Sequence, residues 1–322
     1  MEQEKHPKPS AQQMVNALES LLPAGKKSNQ RGHGVDIKSS APPSAELIYN
    51  YHGRTAKIRV ALYRSISSND AVCPDRAYHP EVQCAITELS QGGRLLVIRS
   101  PEDEQHPSGP TILTSVVSYK SGKQIMVSQG DSHIRPTASG GNPSFPLTST
   151  QLSAIAASSI WKPILDEVPR PPDDHRVAPV MTGPEIASTL TSLLPSNLPA
   201  SEAGGSDEYG HVVVDDSHGK SLIAVNVQKW DPHDAPMREV FKKSHTLPDG
   251  TRIRVEKVPA QGGGKGAVEW SVDTLRKDGF RVLIMAVNAP AYKLPATRSK
   301  PPLDISQLKK IALDKKWRLA SS

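Results

Sequence analysis

Apolar and polar residues alternate with a period of two through several segments of this 322-residue chain. Ile58, Val60 and Leu62 share one face of a predicted strand, while Lys57 and Arg59 lie on the other. This pattern is typical of a strand with one buried and one exposed face. The alternation recurs in the second half at Ile223, Val225 and Val227, at Ile253 and Val255, and at Val268, Trp270 and Val272.

One helical motif occurs twice, at residues 146–161 and 302–317. It reads Pro-Leu-x-x-x-Gln-Leu-x-x-Ile-Ala and ends in Trp, and the two occurrences are 156 residues apart. Its Leu, Ile and Ala recur at positions i, i+3 and i+4, which places them on one face of a short helix. The recurrence predicts an internal duplication.

Residues shared by the two occurrences of this motif predict structural roles for four side chains. Gln151 and Gln307 follow an N-cap Thr or Asp by three residues, which is the spacing of a capping box. Trp161 and Trp317 are predicted to close their helices against the two cores, because large aromatic side chains at helical spacing are typical of a core. A ligand-binding role for the two tryptophans is the alternative.

Other landmarks align in the same order in both halves. A leading helix ends in Leu-Leu-Pro at residues 21–23 and again at 193–195. Gly-containing turns separate the predicted strands, and such tight turns favour antiparallel pairing. One residue of mismatch after the turn near His218 predicts a β-bulge in the strand that follows. The paired turns are 52–54 and 218–220, 91–94 and 249–252, and 121–122 and 278–279.

We therefore predict an α+β fold made of two tandem copies of an antiparallel sheet, each flanked by an N-terminal and a C-terminal helix. The predicted order in each copy is helix, hairpin, excursion, hairpin, hairpin, helix. Residues 24–44 are polar and are predicted to be mobile. The predicted boundaries are a flexible N-terminus at 1–9, the first copy at 10–161, a stiff Pro-rich linker at 162–181, and the second copy at 182–322.

Composition narrows the classes of partner. The net charge is +6, divided evenly between the halves, and aromatic residues make up only 4% of the chain. Nucleic-acid binders gather their charge on one face and often stack bases on aromatic side chains, so we expect no nucleic-acid partner. A local excess of Lys and Arg at residues 298–318 is interpreted as a solvated helix face, with contact to an anionic surface as the alternative.

The two cysteines, Cys73 and Cys84, lie in a polar, Pro-containing segment that resembles a loop. Unpaired cysteines are usually buried among apolar neighbours. A disulfide that closes this loop is therefore predicted, and with it an oxidising compartment. Two free thiols in a cytosolic protein are the alternative.

The duplicated motif, with its Pro-Leu-Thr/Asp-x-x-Gln-Leu-x-x-Ile-Ala-x-x-x-x-Trp endings, resembles uncharacterised secreted, lipid-anchored or single-span membrane proteins of actinomycetes. The resemblance covers nearly the whole chain. It implies an extracytoplasmic location, with any membrane attachment through an anchor outside this sequence. It supplies no activity and no catalytic residues.

Motifs of known catalytic, cofactor and metal sites do not emerge from the sequence. The Gly-rich run at 261–266 lacks the Ser or Thr and the following helix of a phosphate-binding loop, and is interpreted as a hairpin loop. Acid and histidine clusters at 173–175, 215–218 and 231–234 lack the spacing of zinc or calcium sites. We expect no catalytic residue, no metal and no cofactor.

Three functional hypotheses follow. The first is a non-enzymatic extracytoplasmic protein that binds or senses a ligand or protein partner of the cell envelope. The second is an enzyme with an unfamiliar site, such as a hydrolase of envelope material, and the third is the regulatory ectodomain of a membrane protein that resembles an anti-sigma factor. The binding surface predicted for the first is Arg252 and Arg254 on one strand face with Lys265 on the neighbouring loop, and an ordinary solvated face is the alternative.

Overall fold

The computed structural model describes residues 8–36, 41–65, 72–90, 92–103, 109–130, 145–170, 179–231, 233–260 and 262–319. The chain divides into two compact units. The first comprises Met1–Pro74 and Glu81–His175, and the second comprises Asp75–Pro80 and Arg176–Ser322. Each unit contains one seven-stranded antiparallel sheet with helices, so the predicted α+β class with two tandem sheets is confirmed.

The first unit begins and ends with helices. Its strands follow the order β1-β2-β3-β7-β6-β5-β4, and every neighbouring pair is antiparallel. Its elements are α1 (Ala11–Leu21), β1 (Lys26–His33), β2 (Ser44–Tyr51), β3 (Arg54–Arg64), β4 (Gln83–Glu88), β5 (Arg94–Pro101), β6 (Thr111–Ser118), β7 (Lys123–Gly130), α2 (Ser149–Ala156) and α3 (Lys162–Asp166), with a 3-10 turn at Ser159–Trp161.

The second unit repeats this topology. Its sheet reads β8-β9-β10-β14-β13-β12-β11, which is the first order with each strand replaced by its counterpart. Its elements are α4 (Gly183–Leu193), β8 (Ala200–Ser206), β9 (Tyr209–Asp215), β10 (Lys220–Lys229), α5 (Ala235–Val240), β11 (His245–Thr246), β12 (Arg252–Pro259), β13 (Val268–Leu275), β14 (Phe280–Val287), α6 (Ile305–Ala312) and α7 (Lys316–Leu319). The duplication inferred from the sequence is thus a duplication of the fold.

The helix ends form as the sequence predicts. Gln151 and Gln307 complete capping boxes with Thr148 and Asp304, so the first amides of α2 and α6 have side-chain partners. The leading helices α1 and α4 also begin with capping boxes. These caps fix the same helix starts in both copies.

Trp161 and Trp317 occupy equivalent places beneath the last helices. Both side chains are fully buried. The indole Nε1 of Trp161 donates a hydrogen bond to the Ile155 carbonyl at 2.8 Å, and that of Trp317 donates to the Ile311 carbonyl at 2.7 Å. Each indole therefore fills the core and also satisfies a carbonyl at the end of the preceding helix.

The core of each unit lies between its helices and one face of its sheet. Alternating side chains of the central strands meet the apolar faces of the leading and closing helices. The central residues of the two cores are Leu18, Ile58, Val60, Leu62, Ile125, Val127, Leu152 and Trp161 in the first unit, and Leu190, Ile223, Val225, Val227, Val282, Ile284, Leu308 and Trp317 in the second.

The prediction that residues 24–44 are mobile is wrong for residues 26–33. Residues 26–33 form β1, an edge strand paired with β2. Helix α1 packs so closely on this strand that a Cβ atom on Gly32 would lie 2.2 Å from the Ala11 carbonyl oxygen. Residues 1–7 and 37–40 lie outside the described residues, and Pro9 accepts a hydrogen bond from the Val35 amide at 2.9 Å.

The predicted bulge after the turn near His218 is also wrong. Strand β10 pairs with β9 and β14 in continuous register. The mismatch lies in the hairpin loop, which has four residues between Asp215 and Lys220 but only two between Tyr51 and Arg54. A longer loop absorbs the offset without disturbing the strand.

The predicted linker at 162–181 contributes to both cores at its ends. Residues 162–166 form α3, and Ile164, Leu165 and Val168 are buried in the first core. Met181 is buried in the second core. Residues 171–178 lie outside the described residues.

The predicted disulfide between Cys73 and Cys84 is confirmed. It closes a loop between β3 and β4, at the place where the second copy has α5 between β10 and β11. The bond is compatible with an oxidising compartment.

Candidate functional site

The two copies share a fold, so chemistry that only one of them carries is the best guide to a site. The pairing registers align Leu275 opposite Arg281 in the second sheet with Ser118 opposite Gln124 in the first. The same alignment matches the β13–β14 turn, residues 276–279, with residues 119–122. The charge of the two copies differs around this turn, where Arg276 and Asp278 stand in place of Tyr119 and Ser121.

A cationic cleft surrounds the β13–β14 turn in the second unit. It consists of two adjoining depressions of about 440 and 390 Å³ that share Arg276 and Lys277. Six of the lining side chains are Lys or Arg and two are Asp. The charged lining residues are Arg238, Arg252, Arg276, Lys277, Lys315, Arg318, Asp249 and Asp278.

Arg276 and Arg318 are held on the same aromatic ring. Their guanidinium carbons lie 5.5 and 5.6 Å from the centroid of Phe280, which is within the range of a cation–π interaction. Arg276 also donates from Nη2 to the Leu313 carbonyl at 3.3 Å. Burial and the neighbouring charge of Arg318 lower the pKa of Arg276. Arg318 itself is half-exposed and forms an ion pair with Asp278.

The other side of the cleft is built on α5. The Arg252 guanidinium lies 5.2 Å from the centroid of Phe241, the residue that follows this helix. Phe241 and Met237 are buried together with Leu275. This small cluster fixes both α5 and the stem of Arg252, and no helix is described between β3 and β4 in the first copy.

The two carboxylates of the cleft accept hydrogen bonds within its turns, and Asp278 also forms an ion pair with Arg318. Asp249 accepts a hydrogen bond from the Thr251 amide at 2.8 Å, and this bond lowers the pKa of Asp249. Burial acts to raise the pKa of Asp278, but the Phe280 amide and Arg318 outweigh it and hold that pKa below its ordinary value. Both groups stay charged at neutral pH, and the formal charge of the lining is +4.

Among the residues that the structure describes, the first copy does not repeat the charged lining of this cleft. Tyr119 and Lys120 stand where the second copy has Arg276 and Lys277. Arg94, the counterpart of Arg252, is paired with Glu88 at 2.7 Å. The excess of charge is therefore a property of the second copy.

The structure separates the three residues of the predicted binding surface. Arg252 lines the cleft, and Arg254, two residues along the same strand face, forms an ion pair with Glu256. Lys265 lies in the loop after β12, at the opposite end of this eight-residue strand from Arg252. A strand of that length spans roughly 25 Å, so Lys265 and Arg252 do not share one site.

The other polar clusters considered in the sequence have structural partners. Asp216 accepts a hydrogen bond from Arg298 at 2.8 Å. Burial acts to raise the pKa of Asp216, but the hydrogen bonds from Arg298 and from the His218 amide hold it below its ordinary value. The Asp231 carboxylate accepts the His233 amide at 2.8 Å. The Gly-rich loop joins antiparallel β12 and β13, which excludes a phosphate-binding loop. Residues 173–175 lie outside the described residues.

The sequence matches no known protein family, and it matches no curated protein. Among the helices that the structure describes, none is long and apolar enough to cross a bilayer. The function must therefore be argued from the site itself.

A second unusual group in the second unit is the buried His211. Its side chain is 7% exposed, and its Nδ1 lies 3.3 Å from an oxygen of Asp75. Burial lowers the pKa of His211, against the opposing charges of Asp75 and Glu202. The neutral form is thus the form that the fold accommodates.

This burial predicts that the protein loses stability on acidification. The unfolded chain takes up the histidine proton near pH 6.5, and the folded protein does so only at lower pH. The contribution is fully present above pH 6.5 and is lost as the pH falls towards the folded pKa. Thermal unfolding of His211→Gln should show a weaker loss of stability between pH 7 and pH 5 than the wild type. His218→Gln, at an exposed turn, is the control, and equal slopes for both variants would contradict the prediction.

Proposed function

We propose that this protein is a non-enzymatic binding protein of the extracytoplasmic cell envelope, and that its second copy binds an anionic ligand or an anionic patch of a protein partner. The cationic cleft is where this ligand binds. The disulfide between Cys73 and Cys84 supports the compartment, because such bonds persist where the surroundings are oxidising.

The observation that carries the proposal is the crowding of Arg276 and Arg318 around Phe280. Asp278 forms an ion pair with Arg318, but the cleft lining keeps a formal charge of +4, and a bound anion lowers the cost of holding these like charges together. Arginine also presents several N–H donors in a fixed plane, which suits carboxylate and phosphate oxygens. The cleft thus offers both the charge and the donor geometry for an anion.

The cleft favours binding over catalysis. Its carboxylates, Asp249 and Asp278, accept hydrogen bonds from turn amides and keep lowered pKa values, which suits them poorly to act as general acids at neutral pH. At the equivalent described positions the first copy keeps the scaffold with less positive charge, since Tyr119 replaces Arg276. This division of labour supports a scaffold duplicated for binding.

The duplication supplies a matched test of this proposal. Lys277→Glu with Lys315→Glu changes two exposed positions of the cleft, and Lys120→Glu with Lys162→Glu makes the same change of charge in the first copy. We expect the cleft variant to bind polyphosphate or polyglutamate at least about tenfold more weakly than the wild type, a loss of about 1.4 kcal/mol. The affinities are measured by isothermal titration calorimetry at 0.15 M salt, because screening at that ionic strength limits the attraction between exposed charges to roughly 8 Å.

The control pair should change the affinity less than twofold. Equal loss in both variants would mean that the anions respond only to net charge, and no binding by the wild type would remove the proposal. Comparing the two polymers distinguishes phosphate from carboxylate as the preferred group.

A further inference from the structure

Six residues between the two cysteines pack as part of the second compact unit. This segment, Asp75–Pro80, is here called the strap. Ala77 of the strap is 3% exposed and joins an apolar cluster with Val213, Leu222 and Val287. These three lie on the face of the second sheet opposite its helices, because their strand neighbours Val212, Val214 and Ile223 belong to the helix-side core.

Aromatic contacts hold the strap. The ring centroid of Tyr78 lies 4.9 Å from that of Tyr209 and 5.0 Å from that of Tyr292, and the Tyr78 and Tyr292 rings are stacked. The Tyr292 amide donates to the Ala77 carbonyl at 2.9 Å. Aromatic contacts and backbone hydrogen bonds are both used by proteins that bind short peptides.

One buried polar atom beneath the strap lacks a hydrogen bond within the part of the chain that the structure describes. Asp75 uses one carboxylate oxygen to accept the Ala77 amide at 2.9 Å, which shapes the strap as a turn. Its other oxygen lies 3.3 Å from the buried Nδ1 of His211, but that nitrogen has no hydrogen bond among the described residues. Leaving a buried polar atom without a hydrogen bond costs free energy, so this unsatisfied nitrogen weakens the binding of the strap to the face.

We propose that this face is a peptide-binding site and that the strap is its resident, displaceable occupant. The site comprises the helix-free face of β9 and β10 with Tyr292, and it recognises a turn of Asp-x-Ala-Tyr chemistry: a carboxylate towards His211, a small residue over the apolar cluster, and a tyrosine between two tyrosines. The disulfide keeps the strap at high local concentration by closing a short loop around it. A partner peptide therefore competes with the strap. This site is separate from the cationic cleft and does not depend on it.

A peptide added to the full-length protein tests this proposal. The probe is the disulfide-closed peptide of residues 73–84 with a fluorescent label, measured by anisotropy. Tyr78→Ala weakens the resident strap, and Arg76→Ala changes an exposed neighbour in the same strap as the control. We expect the peptide to bind Tyr78→Ala at least tenfold more tightly than it binds the wild type or Arg76→Ala.

Two further variants complete the test, one without the disulfide and one in which Tyr292 of the site is also removed. Cys73→Ser with Cys84→Ser loosens the strap without touching its contacts, so it should also bind the peptide more tightly than the wild type does. Adding Tyr292→Ala to Tyr78→Ala should abolish binding, with circular dichroism confirming the fold. No binding to either strap variant, or equal binding to all variants, would overturn the proposal.

Discussion

Trp317→Ala is expected to lower the free energy of unfolding by about 3–5 kcal/mol, the range for removal of a large buried aromatic side chain. Trp161→Ala should cost the same in the first unit. Each indole is fully buried and donates a hydrogen bond to the helix before it, to Ile311 in one copy and Ile155 in the other. The substitution therefore leaves a cavity and an unpartnered carbonyl together. Urea denaturation followed by circular dichroism measures the loss.

Ile160→Ala is the matched control for the tryptophan variants. Ile160 precedes Trp161 and its side chain is 37% exposed, so its truncation should change stability by about 0.5 kcal/mol or less. A cost below about 1 kcal/mol for either tryptophan would contradict the structural role. A large cost in only one copy would contradict the equivalence of the two cores.

Asp273→Ala is expected to cost about 3–5 kcal/mol, because it leaves the charge of Arg281 without its partner in a buried place. Asp273 is 4% exposed, and its carboxylate accepts two hydrogen bonds from Arg281, at 2.7 and 2.9 Å. Arg281 also donates to Gln228 at 3.0 Å. Burial raises the pKa of Asp273 despite the attraction of Arg281, so desolvation offsets part of the attraction within the pair.

The first copy supplies the compensating change. Val116 and Gln124 stand at the positions of Asp273 and Arg281. The double variant Asp273→Val with Arg281→Gln should therefore recover most of the stability lost in Asp273→Ala, because it removes both charges together. Denaturant unfolding of the two variants makes the comparison. A double variant as unstable as Asp273→Ala would show that the pair itself stabilises the second unit.

Much of the fold could be predicted because its signals are local. Alternating strands, Gly turns and capping boxes each act over a few residues, and the repeated helix with Trp161 or Trp317 marks the same point in both copies. Strand β1 had no such signal. It is an edge strand whose side chains are mostly exposed, so its sequence has no apolar alternation, and its pairing with β2 gives it order.

The site was harder to predict because its residues meet only in three dimensions. Arg252, Arg276 and Arg318 come from β12, the β13–β14 turn and the last helix. The sequence drew attention to Arg252 and to the charged C-terminal segment separately. The prediction for Lys265 treated a neighbour in sequence as a neighbour in space, but a whole strand separates that loop from Arg252. The strap is a polar loop in sequence, and no local pattern indicates where it packs.

Hydrogen–deuterium exchange of the full-length protein with and without polyphosphate tests most directly whether the second copy holds the anion site. We expect slower exchange on binding at residues 247–251 and 276–280, the two segments that carry the turns of the cleft, and no change at the equivalent turns of the first copy, residues 92–93 and 119–123. Protection spread equally over both copies, or confined to the first, would contradict it.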